Sequence, residues 1–236
     1  MSVYIHGGLR SPIGVLNGQY KHMRPEILGS QVIDEIINRY TISHIDGIFC
    51  GNAVGTGGNL GRLMGLMCNL PNSVPAITVD MQCASALMSI EIAYAHIVSG
   101  IMDSAIAGGI ESSSLQPERV YASGDDREGP YKVAQFTPQD QSPLAMLKGA
   151  ERTIHKYNVT KEDLYPHIIG SHQRASAALD NPYLQSYIMP ITIDGKRCID
   201  ECIRPTMNEK LLSRMKPLLG ADSITNAGNA CLTHDG

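Results

Sequence analysis

Between residues 3 and 114 short apolar runs alternate with stretches of helical period, and nothing else in the chain narrows its fold as far. Residues 3–9 read as a strand. Residues 25–40 place Ile27, Leu28, Val32, Ile33, Ile36 and Ile37 on one face of a helix, and residues 47–54 read as a second strand. A Met/Leu-rich helix over 61–70 comes next, then a strand over 76–79, a helix stopped by Gly100, and an apolar strand running from Asp103 into Gly108 and Gly109. Strands joined through helices re-enter a sheet from the same end, so they pair in parallel and need helices over their faces. The expected fold is therefore α/β, and ligands of such sheets collect at the carboxyl ends of the strands.

Cys83 sits at one of these ends, where the run 76–79 passes into a helical stretch with Leu87, Ile90, Ile92, Ala93 and Ile97 at helical spacing. Amides of a first helical turn point at such a sulfur, and the positive end of the helix dipole favours a thiolate over a thiol. A small buried hydrophobe is the competing reading of a cysteine in apolar surroundings, and this segment alone leaves both open. The glycine-rich run from Gly51 to Gly61 lacks both dinucleotide-fingerprint spacing and a Lys-Ser/Thr pair, so it reads as a turn feeding the next helix.

Four further blocks turn the alternation into a pattern: Arg10-Ser-Pro-Ile-Gly14, Ile45-Asp-Gly-Ile-Phe-Cys-Gly-Asn52, Gly108-Gly-Ile-Glu-Ser-Ser-Ser114 and Ala227-Gly-Asn-Ala-Cys231. With the Cys83 segment, their order and spacing resemble the thiolase family over nearly the whole chain. The resemblance implies a thiolase-like N-terminal domain, a mixed and mainly parallel sheet covered by helices, carrying an inserted loop domain. Residues 1–114 would be the first part of that core, 115–219 the inserted domain on the coenzyme A side, and 220–236 the return to the core.

The activity implied is that of an acetyl-CoA C-acetyltransferase. Cys83 would take the acyl group from one coenzyme A thioester and yield it to a carbon nucleophile from another, or the reverse. A thioester intermediate suits the exchange because it conserves the energy of the substrate bond. Coenzyme A thioesters are then substrates, and no cofactor is expected. By position, Met146 matches a residue beside the pantetheine arm, Ala227 one lining it, Arg204 a cation near the adenine end, and Cys231 stands where the family has a coenzyme A-contacting serine. Arg204 reads equally as a solvated surface charge. Asp80 stands for a family asparagine three before the nucleophile, Ala86 for a glycine three after it, and His234 for an asparagine, with no role assigned.

The family pattern also includes, in a second half, an Asn-Glu block, a Gly-His-Pro histidine and a Cys-x-Gly cysteine, and neither the Gly-His-Pro nor the Cys-x-Gly motif occurs in these 236 residues. A truncation before the C-terminal thiolase domain is expected on that ground, and with it incomplete chemistry. A non-catalytic acyl-CoA-binding or assembly protein derived from a thiolase is the alternative. A ketoacyl-synthase-like condensing enzyme lacks the long insertion. Thiolases pair through this half, which implies a homodimer or a higher homo-oligomer.

Composition excludes other classes. A net charge of -4 with 18% charged residues and no Lys/Arg run gives no surface for a nucleic acid backbone. No run approaches the length of a membrane span, the start lacks a signal-peptide pattern, and a soluble cytoplasmic protein is expected. The six cysteines are too dispersed for a disulfide framework. Cys198 and Cys202 lack a second pair at ligand spacing, so no metal is expected.

Overall fold

The computed structural model describes residues 2–55, 57–135, 138 and 142–236. In chain order the elements are β1 (Gly14–Val15), α1 (Pro25–Arg39), β2 (Gly47–Gly51), α2 (Leu60–Met67), β3 (Ala76–Val79), α3 (Ser85–Val98) and β4 (Ala105–Gly109). Next come β5 (Arg119–Val120), β6 (Pro130–Tyr131), α4 (Ala145–Lys156), α5 (Lys161–Leu179), α6 (Pro182–Gln185), β7 (Thr192–Ile193), β8 (Lys196–Arg197), α7 (Glu209–Leu212) and β9 (His234–Asp235). Two compact units share the chain. The first takes residues 1–117, 182–202 and 233–236, and the second 118–181 and 203–232.

The first unit is the expected α/β layer. Its sheet has the order β3-β2-β4, with both neighbours parallel to the central β2. Alternation along β2 assigns the helices to faces. Cys50 joins a core with Leu28 of α1 and Met64 of α2, and Ile48 a second one with Ile45, Val74 and Ala76, whereas Phe49 points the other way and its ring lies 5.0 Å from that of His96 on α3.

α3 meets the sheet through small residues. Ser85, Ser89 and Ala93, four apart, are its buried positions, while Leu87, Ile90, Tyr94 and Val98 are exposed. Helical spacing of large apolar residues correctly marks the helix but not the side that faces the sheet. Ser89 is fully buried, its hydroxyl 2.7 Å from the Ala86 carbonyl and 2.8 Å from that of Gly108, which draws the helix onto β4. At this spacing the sheet must be small as well. A Cβ on Gly51 would lie 2.4 Å from the Ala86 nitrogen, and one on Gly109 would lie 2.9 Å from the Ala86 Cβ.

The strand expected over residues 3–9 does not form. Tyr4 and Ile5 are 85% and 90% exposed, and a strand exists only against a partner. Pairing begins at Arg10, whose amide donates to the Tyr187 carbonyl at 2.9 Å and whose carbonyl accepts from the Met189 amide at 2.8 Å. Asp200 and Glu201 hold residues 10–15: Asp200 binds the Arg10 guanidinium through both oxygens and the Ile13 amide at 2.7 Å, and Glu201 accepts from the Val15 amide at 2.9 Å.

At the other end of the chain, β9 pairs with β1, and Gly236 and Glu111 exchange two hydrogen bonds of 2.9 Å.

The second unit contains two long helices. α4 opens near Pro143, and α5 starts at Thr160 as a capping box in which Thr160 and Asp163 each accept from the other's backbone amide. Pro166 lies within α5 without ending it. Tyr165, Met207 and Leu212 form a small buried cluster between α5 and α7. Among the described residues no helix is long and apolar enough to cross a membrane.

Candidate functional site

β3 ends at Val79 and α3 begins at Ser85. The connection between them holds the most constrained turn in the first unit. Asp80 accepts from the Gln82 amide at 2.8 Å, the Ala84 amide donates to the Met81 carbonyl at 3.1 Å, and Gln82–Ala84 form one 3-10 turn. Ser85 closes it, its hydroxyl accepting from the Met81 amide at 2.9 Å and donating to the Gln82 carbonyl at 2.6 Å. The result presents Cys83 to solvent immediately before α3. No side chain caps the N-terminus of that helix, so its amide ends and the positive end of its dipole stand beside the thiol.

Asp80 therefore has a definite task, as acceptor for the strand-to-helix turn. Its position in the sequence marks it only as a carboxylate in the neighbourhood of Cys83.

Three other thiols of the first unit differ from Cys83. Cys50, Cys68 and Cys198 are buried. Burial pushes the Cys50 and Cys68 thiols up to about 12 and that of Cys198 upward as well, so none is a thiolate at neutral pH.

The glycines and serines of 108–114 turn out to be scaffold. Glu111 is the hub: it accepts from the amides of Ala53 at 3.0 Å, Val54 at 2.8 Å and Gly55 at 3.2 Å, and from the Asn52 side chain at 3.0 Å. It thereby shapes the loop that leaves β2. The Ser114 amide donates to Asp235 at 2.9 Å and its hydroxyl also bonds that carboxylate, while the Asn17 amide donates to the Ser114 hydroxyl at 2.7 Å. Asp235 is 2% exposed, and His234 beside it pairs with Val15 in the β1–β9 ladder.

The remaining sequence candidates all lie in the second unit. Met146 is the second residue of α4, 77% exposed, and lines a cleft of ≈ 550 Å³ with Tyr121, Arg127, Val133 and Pro143. One wall of it is aromatic and cationic: Tyr121 stacks on Tyr131 with centroids 4.3 Å apart, and the Arg127 guanidinium lies 4.1 Å above the Tyr121 ring. Arg204 is exposed, and its amide donates to His172 Nδ1 at 3.2 Å. Ala227 and Cys231 are exposed.

Glu151 organises this unit. From α4 it accepts from the Ile224 amide at 2.7 Å, the Thr225 amide at 3.0 Å and the Ser223 hydroxyl at 3.1 Å, and also from the Thr225 hydroxyl. Burial works against its charge, but these donors outweigh it and bring the carboxyl down to about 2. The helix carrying Met146 is thus fastened to the segment that leads into Ala227. No local pattern reveals such a bond, because its partners lie 72 to 74 residues away. Among the described residues, no group of three or more His, Cys, Asp or Glu side chains is placed to hold a metal ion.

Against this geometry stand three likenesses. A family model described as the N-terminal domain of thiolase matches residues 3–236. Two relatives bear the name "Putative acetyl-CoA C-acetyltransferase VraB". That of Staphylococcus epidermidis strain ATCC 35984 is 34% identical over 239 residues, and that of Staphylococcus aureus strain MSSA476 is 32% identical over 234. Each alignment takes in 96% of this chain, and the chain spans 61% of the length of each relative. The crystal structure of the Bacillus anthracis acetyl-CoA acetyltransferase superposes with a TM-score of 0.84 at 26% identity, over 98% of this chain and 62% of that one.

Proposed function

This chain belongs to the thiolase family as its N-terminal domain, and from that membership we propose that it serves acyl transfer between coenzyme A thioesters with Cys83 as the acylated residue. The observation that carries the proposal is the place of Cys83: an exposed thiol on a tight turn, at the carboxyl end of a parallel strand and the uncapped start of a helix. A thiolate there attacks the thioester carbonyl. The sulfur–carbonyl bond forms, the tetrahedral oxyanion collapses, and coenzyme A leaves as its thiolate to take up a proton. Amides at the start of α3 are suited to the developing oxyanion. The second unit is proposed as the family's inserted loop domain, holding coenzyme A through Met146, Arg204, Ala227 and Cys231. The cleft beside Met146 supports this, being large enough for a pantetheine arm. Acetyl-CoA is the proposed acyl donor, in keeping with the names of the relatives. A homo-oligomer is proposed as well, supported by the exposed apolar stripe of α3.

Limiting iodoacetamide at neutral pH should label Cys83 before any other thiol, and prior incubation with acetyl-CoA should protect it by leaving one acetyl group on its sulfur. Peptide mass spectrometry reads both. Preferential labelling of Cys231, the other exposed cysteine, would count against an activated Cys83. Labelling of Cys83 without acetyl uptake would favour a binding protein over an acyltransferase.

Arg204→Ala should weaken coenzyme A binding by about 1 to 3 kcal/mol if the guanidinium meets a phosphate. Calorimetric titration checks this, and equal affinity for both proteins removes Arg204 from the site.

A further inference from the structure

We propose that Ser85 is a positioning residue for the Cys83 thiol and acts through the backbone of Gln82. The inference rests on reading Cys83 as the acylated residue, but its test measures thiol reactivity alone.

Gln82 has φ of 53°, in the left-handed region. Of the five non-glycine residues with positive φ among the described residues, Asn17, Asn158 and Asp194 are types that tolerate it, whereas Gln82 and Thr41 are not. A glutamine stays there only while its surroundings hold it. Both peptide groups flanking Gln82 are indeed tied. Its amide donates to Asp80 at 2.8 Å, and its carbonyl accepts from the Ser85 hydroxyl at 2.6 Å.

The Ser85 hydroxyl uses its other capacity on the Met81 amide, at 2.9 Å, so a single buried oxygen pins the peptides on either side of the turn. The carbonyl that it grips belongs to the 82–83 peptide, and that peptide sets the direction of the Cα–Cβ bond of Cys83. If Gln82 relaxes to the right-handed region, this peptide rotates. The thiol then swings off the axis of α3, away from the amide ends at the start of that helix. A strained residue next to a reactive one, held by hydrogen bonds to both of its flanking peptides, is the signature of a pre-set conformation.

The test is the second-order rate of Cys83 alkylation by iodoacetamide as a function of pH, measured on the 236-residue chain. Ser85→Ala should lower the rate at neutral pH about tenfold and move the midpoint of the pH profile upward. Ser85→Thr, which keeps the hydroxyl, should retain most of the rate. The deciding variant is Ser85→Ala with Gln82→Gly. Glycine adopts positive φ without strain, so the rate should return to within about threefold of the parent.

A purely structural role for Ser85 predicts no such recovery. An unchanged rate and midpoint in Ser85→Ala overturn the proposal, and so does a slowed Ser85→Ala that Gln82→Gly fails to restore. The double variant should fold even if Ser85→Ala alone does not; loss of folding in both would assign Ser85 to core packing and overturn the proposal as well. Normal behaviour of these variants, together with no acetyl uptake by the parent protein, would instead refute the acyltransferase reading and leave Ser85 in place.

Discussion

Cys83→Ala should abolish acetyl uptake from acetyl-CoA, reducing its initial rate at least ~10³-fold while leaving the melting temperature unchanged. The size of the effect reflects the chemistry. Without the sulfur there is no covalent intermediate, and the other thiols do not replace it. Cys50, Cys68 and Cys198 are buried and protonated at neutral pH, and neither Cys202 nor Cys231 stands at the start of a helix. Stability is spared because an exposed side chain is being shortened. The measurement is mass-resolved acetyl incorporation, with thiolysis of acetoacetyl-CoA as a second assay. Cys202→Ala is the control, since its thiol belongs to no part of the proposed site. Acetyl uptake surviving in Cys83→Ala would assign the acyl group to another residue.

How far sequence alone reaches depends on whether a feature is written locally. The strand Ala76–Val79 emerges where the pattern puts it, because an apolar run acts within a few positions. Cys83 at a helix start is legible for the same reason. What escapes is pairing between distant segments. Residues 3–9 look like a strand, but pairing begins only at Arg10, whose partners Tyr187 and Met189 lie almost 180 residues on. Glu111 and Glu151 read as ordinary acids, although each fixes a loop by accepting from several backbone amides. Periodicity fails differently in α3. Large apolar residues mark a helix, and yet Ser85, Ser89 and Ala93 face the sheet, because the start of the helix approaches Gly51 and Gly109 closely.

That close approach underlies the last prediction, that Gly51→Ala destabilises the first unit by about 3 kcal/mol. The added Cβ would stand 2.4 Å from the Ala86 nitrogen, 2.5 Å from the Ser85 carbonyl carbon and 2.8 Å from the Ala86 Cα. All three are backbone atoms at the start of α3, so no side chain can swing aside. The helix itself must move, and with it the turn that carries Cys83. Two comparisons isolate this cause. Gly149, within α4, has nothing inside 4 Å of its would-be Cβ, and Gly149→Ala should stabilise by about 0.5–1 kcal/mol through helix propensity. Gly109→Ala meets the Ala86 methyl at 2.9 Å and the Gly51 carbonyl oxygen at 3.0 Å, and a second change, Ala86→Gly, should relieve part of its cost. The same second change should not rescue Gly51→Ala, whose neighbours are main chain. Thermal melts followed by far-UV circular dichroism report the ranking, with a fall of roughly 6 to 12 °C for Gly51→Ala. Cys83 alkylation should slow in parallel. If Gly51→Ala melts with the parent protein, the start of α3 does not rest on β2 at backbone contact, and the account of how Cys83 is placed fails with it.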